Sequence, residues 1–80
     1  MDQRELDRRW FTWEPIEGVR YGLNDTVRIL SGKNAGLEGA IISLCSTEPV
    51  GYVVELLEPP YGDVELAEHD LELIFKHVNI

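Results

Sequence analysis

The chain has a single cysteine, Cys45, in 80 residues. No disulfide can form within it, and a lone thiol fits a reducing compartment. No apolar run approaches the roughly 18 residues that a membrane-spanning helix needs. The first residues, Met-Asp-Gln-Arg-Glu-Leu-Asp, are charged from the second position and lack the apolar stretch of a secretory signal. A soluble cytoplasmic protein is the expectation. Basic side chains are scarce, seven against fifteen acidic, for a net charge of −8. That shortage disfavours nonspecific nucleic-acid binding, which depends on cations that neutralise phosphates and release counterions. Histidine is scarcer still. His69, His77 and Cys45 have neither Cys-x-x-Cys nor His-x-x-x-His spacing, so no metal and no cofactor is expected. Repeats, linkers and low-complexity stretches are also lacking.

The charge that is present is unevenly placed. Residues 1–47 hold six basic and seven acidic side chains, whereas residues 48–80 hold one basic and eight acidic ones. The front half is nearly neutral and the back half strongly acidic. Such an asymmetry bears on solubility and association rather than on fold, and it would draw a basic partner.

Asp2 and Glu5 stand in capping-box spacing, which predicts a short helix at the start. Pro15 requires that helix to end before it. The aromatic run Trp10, Phe11 and Trp13 falls at the helix end or in an extended segment. It has two readings: a cap over one open end of the core, which a small domain needs, or an exposed binding anchor. Residues 16–23 read as an irregular lead-in. Strands are predicted at 27–30, 39–45, 52–57, 63–67 and 71–75. Turn clusters separate them at Ser46-Thr47-Glu48-Pro49 and Pro59-Pro60-Tyr61-Gly62, with one tight turn at Glu68-His69-Asp70. The tail from Lys76 is expected to fray. Cys45, near the end of an apolar strand, is expected to be a small buried hydrophobe.

One register follows from the pattern. Tyr52, Val54 and Leu56 share a face of the third strand, and Val64 and Leu66 share a face of the fourth. Placing Leu56 opposite Val64 and Val54 opposite Leu66 puts both sets into one core. Glu55 then faces Glu65, and Leu57 faces Asp63. Opposed like charges cost a few tenths of a kcal/mol, on the order of other cross-strand terms. The pair is read either as a tolerated feature of a solvated face or as a docking ridge for Lys and Arg side chains.

The stretch from Asn24 to Leu44 is the most distinctive. Two β-branched runs flank a loop with glycines at Gly32, Gly36 and Gly39. Gly32 and Gly36 suit positive φ, and Gly39 lets the second strand bend or approach its neighbour closely. The pattern Asp25-x-Val27-x-Ile29-x-x-Gly32-x-x-x-Gly36-x-x-Gly39-x-Ile41 resembles the KOW motif of SH3-like small barrels, which occur in ribosomal proteins and transcription elongation factors. The resemblance covers about residues 20–75 and implies an all-β fold: a small five-stranded SH3-like barrel with a short N-terminal helix or extended aromatic segment. On that reading the chain is a single domain, 1–80, with a lead-in over 1–19, the barrel over 20–75 and a tail over 76–80.

Nucleic-acid-binding KOW domains usually carry several basic residues on this loop and the nearby strands. Here only Arg20, Arg28 and Lys33 are available, beside Asp25 and Glu38. A looser resemblance connects residues 27–28, 36–39, 52–54 and 70–72 to small acidic bacterial immunity proteins, whose targets are often basic nucleases.

No catalytic pattern stands out. Ser31 or Ser43 with His69 and Asp70 makes a hydrolytic triad only on paper, because no nucleophile elbow surrounds either serine. Residues 31–36 lack Walker spacing. The chain is read as non-enzymatic. Three functions remain open. The first is a barrel that binds a basic protein, with an immunity or inhibitor role as its concrete form, through Glu55, Glu58, Asp63 and Glu65 with Tyr61 or Trp13 as anchors. The second is a KOW-type accessory domain contacting RNA, the ribosome or RNA polymerase through Arg20, Arg28 and Lys33. The third is an assembly or regulatory subunit of a larger complex. A monomer is the default.

Overall fold

The chain opens with one helix, α1, at Gln3–Phe11, in a computed structural model that describes residues 2–78. Asp2 caps it: its carboxylate accepts the Glu5 backbone N–H at 2.8 Å. Glu5 does not complete the box. It turns instead to Arg9 one turn on, at 3.1 Å. Thr12 closes the helix by donating its backbone N–H to the Arg8 carbonyl, three residues before Pro15.

Five strands follow: β1 at Thr26–Ile29, β2 at Glu38–Thr47, β3 at Val50–Leu56, β4 at Gly62–Ala67 and β5 at Leu71–Phe75. A 3-10 turn at Glu68–Asp70 joins the last two. The sheet is antiparallel, in the order β4-β3-β2-β1-β5. That order forces curvature. In a flat sheet β4 and β5 lie four spacings apart, about 19 Å, yet a three-residue 3-10 turn advances only about 6 Å. The sheet rolls until its edges approach at this corner, and a barrel-like fold results.

The inner faces hold Val27 and Ile29 of β1, Ile41 of β2, Tyr52, Val54 and Leu56 of β3, and Leu71 of β5. Trp10 and Tyr21 complete this core from outside the sheet. Gly32 and Gly36 take φ of 83° and 91° in the β1–β2 loop. Gly39 is needed for close approach: a Cβ there would stand 2.7 Å from the Glu55 carbonyl oxygen and collide with the Val54 side chain.

Three expectations are corrected. Val54 pairs with Val64, Tyr52 with Leu66 and Glu55 with Asp63, so the β3–β4 register is two residues from the one inferred. A shift of two keeps every side chain on its face, and the hydrophobic pattern alone does not separate the two registers. The turn decides between them. Positive φ at Tyr61 and Gly62 brings the chain round early enough for Gly62 to pair with Leu56. Cys45 is exposed rather than buried. Strand β2 is irregular between Ile41 and Ser43 and again between Leu44 and Ser46, so the alternation of faces breaks once before Cys45 and once at it. The tail beyond β5 is also anchored: Lys76 and His77 both bind Asp25. Residues 79–80 lie outside the described residues.

Candidate protein-docking face and an aromatic groove

Alternation along β3 and β4 sends Val53 and Glu55, with Asp63 and Glu65, to the face opposite the core. Glu55 pairs with Asp63, and Glu65 pairs with Val53 next to it. Three carboxylates therefore share one exposed face, with a like-charged pair directly opposed. Among the described residues none of the three has an ion-pair or side-chain hydrogen-bond partner. Cys45 feels this field. Although the residue is exposed, partial desolvation of its sulfur pushes the thiol pKa up, and the Glu65 charge raises it further.

Glu58 and Tyr61 stand at the β3–β4 turn. Glu58 is engaged, accepting the Glu38 backbone N–H at 3.0 Å, and so braces the turn against β2. Tyr61 is 63% exposed at the tip. Trp13 lies elsewhere. It is half-buried, stacks on His77 with ring centres 5.0 Å apart, and donates its indole N–H to the Leu23 carbonyl at 2.9 Å. The structure thus groups Glu55, Asp63 and Glu65, places Glu58 and Tyr61 at the end of the same hairpin, and leaves Trp13 apart.

The residues named for RNA are scattered in role. Arg28 bridges Glu38 at 3.0 Å and Glu72 at 3.3 Å, so its charge is already compensated. Lys33 is exposed in the glycine loop. The Arg20 guanidinium lies 5.7 Å from the Tyr21 ring centre. Ser31, His69 and Asp70 do meet, but in the wrong order for hydrolysis. Ser31 donates to Asp70 at 2.8 Å, and His69 Nε2 is 3.6 Å from the same carboxylate oxygen. A catalytic triad needs the imidazole between serine and acid. No cluster of three or more His, Cys, Asp or Glu side chains suited to a metal occurs among the described residues. None of the described helices is long and apolar enough to cross a membrane.

Two features escape sequence reasoning. Asp25 is 0% exposed. Its carboxylate accepts the backbone N–H groups of Gly22 and His77, both at 2.8 Å, and the Lys76 ammonium at 3.0 Å. It thereby ties the lead-in to the chain beyond β5. The acid is visible in the sequence, but two of its three donors are 51 and 52 residues away, and no local signal connects them to it. The second feature is a groove of about 310 Å³ between the end of α1, the lead-in and the Lys76–His77 segment. Ile16 and Val19 line it with Trp10 and Trp13, and Arg9, Arg20 and Lys76 stand around it. Glu14 also lines it, but that carboxylate is held by Arg8 and accepts the Thr12 hydroxyl at 2.8 Å. The Thr12 hydrogen bond, followed by the nearby arginines, keeps its pKa below the usual glutamate value.

A second internal carboxylate braces the same end. Glu68 accepts the Tyr52 hydroxyl and, at 3.0 Å, the Arg20 backbone N–H. Tyr52 in turn accepts the Tyr21 N–H at 3.1 Å. Burial, with the adjacent Glu68 carboxylate, holds the Tyr52 phenol well above its ordinary pKa.

No protein-family model and no curated protein sequence matches the chain. Among solved structures, a chain of the MjSpt4:Spt5 complex in conformation B matches with a TM-score of 0.65 over 92% of this chain, at 17% sequence identity. The present chain spans 51% of the length of that one, about half. At this identity the likeness shows the fold alone, a small β-barrel.

Proposed function

We propose that this protein is a non-enzymatic docking module, one folded unit over 1–80 with an SH3-like barrel, that binds a basic protein partner through the outer face of β3 and β4. The observation that carries the reading is the unpartnered trio Glu55, Asp63 and Glu65, with Glu55 opposed to Asp63 across the strands. Internal ion pairs hold other acids of the chain, whereas these three are left for solvent or a partner. Tyr61 at the end of the hairpin serves as the aromatic anchor, flanked by Glu58. The partner's Lys and Arg side chains relieve the repulsion among the carboxylates, so charge drives encounter and weakens with salt. Steric blockade of a basic enzyme, as an immunity or inhibitor protein, is one concrete form. The structural neighbour belongs to a complex of two proteins, which supports a second form, an accessory or assembly subunit of a larger complex. Contact with RNA has less support, since Arg28 is neutralised by two carboxylates.

The test is affinity capture from cells of the source organism at low and high salt, with the wild type and the triple reversal Glu55→Lys, Asp63→Lys, Glu65→Lys. The proposal expects a basic protein retained by the wild type at low salt, released at high salt and not retained by the variant. A partner held equally by both forms would refute it.

A further inference from the structure

The groove beside α1 is opposite in character to the acidic face, and its argument is independent of that face. Three of the seven basic side chains of a chain with net charge −8 stand around this one concavity. Arg20 is the most available of them, since among the described residues its guanidinium meets no carboxylate. Arg9 is held by Glu5 and by the Pro15 carbonyl, and Lys76 by Asp25, so both are fixed in position beside it. Ile16 and Val19 give the lining apolar surface. Trp10 adds a second observation. It is only 4% exposed, and its buried indole N–H has no hydrogen-bond acceptor among the described residues. A buried unpaired donor destabilises the site, so a ligand that offers an acceptor there gains more than a contact in water would give.

We propose that this groove binds a short acidic peptide segment carrying an apolar side chain. The apolar side chain packs against Ile16, Val19 and Trp10. A flanking carboxylate pairs with Arg20, the cation of the groove that meets no carboxylate among the described residues, while Arg9 and Lys76, already paired with Glu5 and Asp25, add hydrogen-bond donors rather than net charge. A small shift of the Trp10 ring lets its N–H donate to a peptide carbonyl or carboxylate. At about 310 Å³ the groove takes one large side chain and its neighbours, at the lower end of ordinary ligand sites. Single-stranded nucleic acid is the competing polyanion, and the ring contacts disfavour it. Trp13 is stacked on His77, while Trp10 and Tyr21 are tilted against Tyr52 at 6.1 and 5.7 Å. These packed rings offer no open platform of the kind that bases stack on.

The experiment is a nitrogen-15 NMR titration of the full chain with a capped hexapeptide, two acidic residues on each side of a Leu-Phe pair. Its amide-neutral analogue, its lysine analogue and a hexameric oligouridylate are titrated in parallel. The proposal expects saturable shifts of the Trp10 and Trp13 indole N–H signals and of the Val19–Gly22 amides with the acidic peptide only. Arg20→Glu should weaken that binding at least about tenfold, equivalent to about 1.4 kcal/mol, with the remaining spectrum unchanged. Arg9→Gln is the second variant and should weaken it less. The proposal is overturned if neither indole responds at about 1 mM peptide, if the neutral or lysine analogue binds as well, if oligouridylate binds these signals more tightly, or if Arg20→Glu leaves the affinity intact.

Discussion

Two sets of carboxylates in this molecule live under opposite conditions. Asp25 is sealed from solvent and receives three donors, one of them the Lys76 ammonium. Glu55, Asp63 and Glu65 lie on an open sheet face and receive none among the described residues. The front half of the chain has nearly as many cations as anions, and most of its acids are engaged within the fold. Glu5 is matched by Arg9, Glu14 by Arg8, Glu38 by Arg28 and Asp25 by Lys76. The back half has one cation for eight acids, and that cation is directed to the front-half Asp25. Glu58, Glu68, Asp70 and Glu72 of this half are engaged by neighbours within the fold, whereas Glu55, Asp63 and Glu65 are not, and a surface that folding does not use is available for association.

The largest expected effect breaks the buried side of the comparison. Asp25→Ala leaves two backbone N–H groups and an ammonium without their acceptor, and should cost about 3 kcal/mol, measured by urea unfolding. For a domain whose whole stability is on the order of 0.05–0.15 kcal/mol per residue, that is a severe loss. A loss under about 1 kcal/mol would mean that water replaces the carboxylate and that the tie between lead-in and tail is weak.

The next effect is one of pH. The Tyr52 phenol keeps its proton in the folded state to a higher pH than in the unfolded chain. Its contribution is therefore full below the ordinary tyrosine pKa of about 10 and is lost as pH rises above that value. Stability should fall at up to about 1.4 kcal/mol per pH unit in that range. Tyr52→Phe should remove that part of the alkaline slope, while lowering stability at neutral pH through loss of the contacts to Glu68 and Tyr21. An unchanged slope would show that Tyr52 ionises freely in the fold.

A smaller effect reads the exposed side. The thiol pKa of the exposed Cys45 is raised by partial desolvation and then by Glu65. Glu65→Gln should accelerate alkylation of Cys45 by neutral iodoacetamide near pH 8 by about two- to threefold. The same rate in both proteins would mean that the acidic field does not reach Cys45. Smallest of all is the effect on folding of reversing Glu55, Asp63 and Glu65 to lysine. Stability should change by no more than about 0.5 kcal/mol, because like-charged cross-strand repulsion is replaced in kind and a solvated face is left alone. A large loss would show that these acids serve the fold after all.

What the sequence made legible follows the range of the signals. The Asp2 cap, the break before Pro15, the glycine loop and the tight turn before β5 are local signals, read within a few residues, and each appears in the fold. The face of each residue on β3 and β4 was legible because alternation fixes parity. The register was not, because parity is blind to a shift of two. Cys45 was misplaced because the irregularities of β2 leave no mark in an apolar run that reads the same on both faces. The acidic trio was legible as residue types on one face, although Glu55 proved to oppose Asp63 instead of Glu65. The groove and the Asp25 tie were not, since each joins segments separated by most of the chain.

The central claim is that the acidic face of β3 and β4 binds a basic partner and contributes little to folding. Calorimetric titration of the captured partner with the wild type and with the Glu55, Asp63, Glu65 triple reversal, at two salt concentrations, tests it directly. The account predicts wild-type affinity that falls at least about tenfold on raising the salt from about 0.05 to 0.3 M, and no measurable binding by a variant that unfolds at the wild-type urea midpoint. Equal affinity of the two proteins, independent of salt, would contradict it.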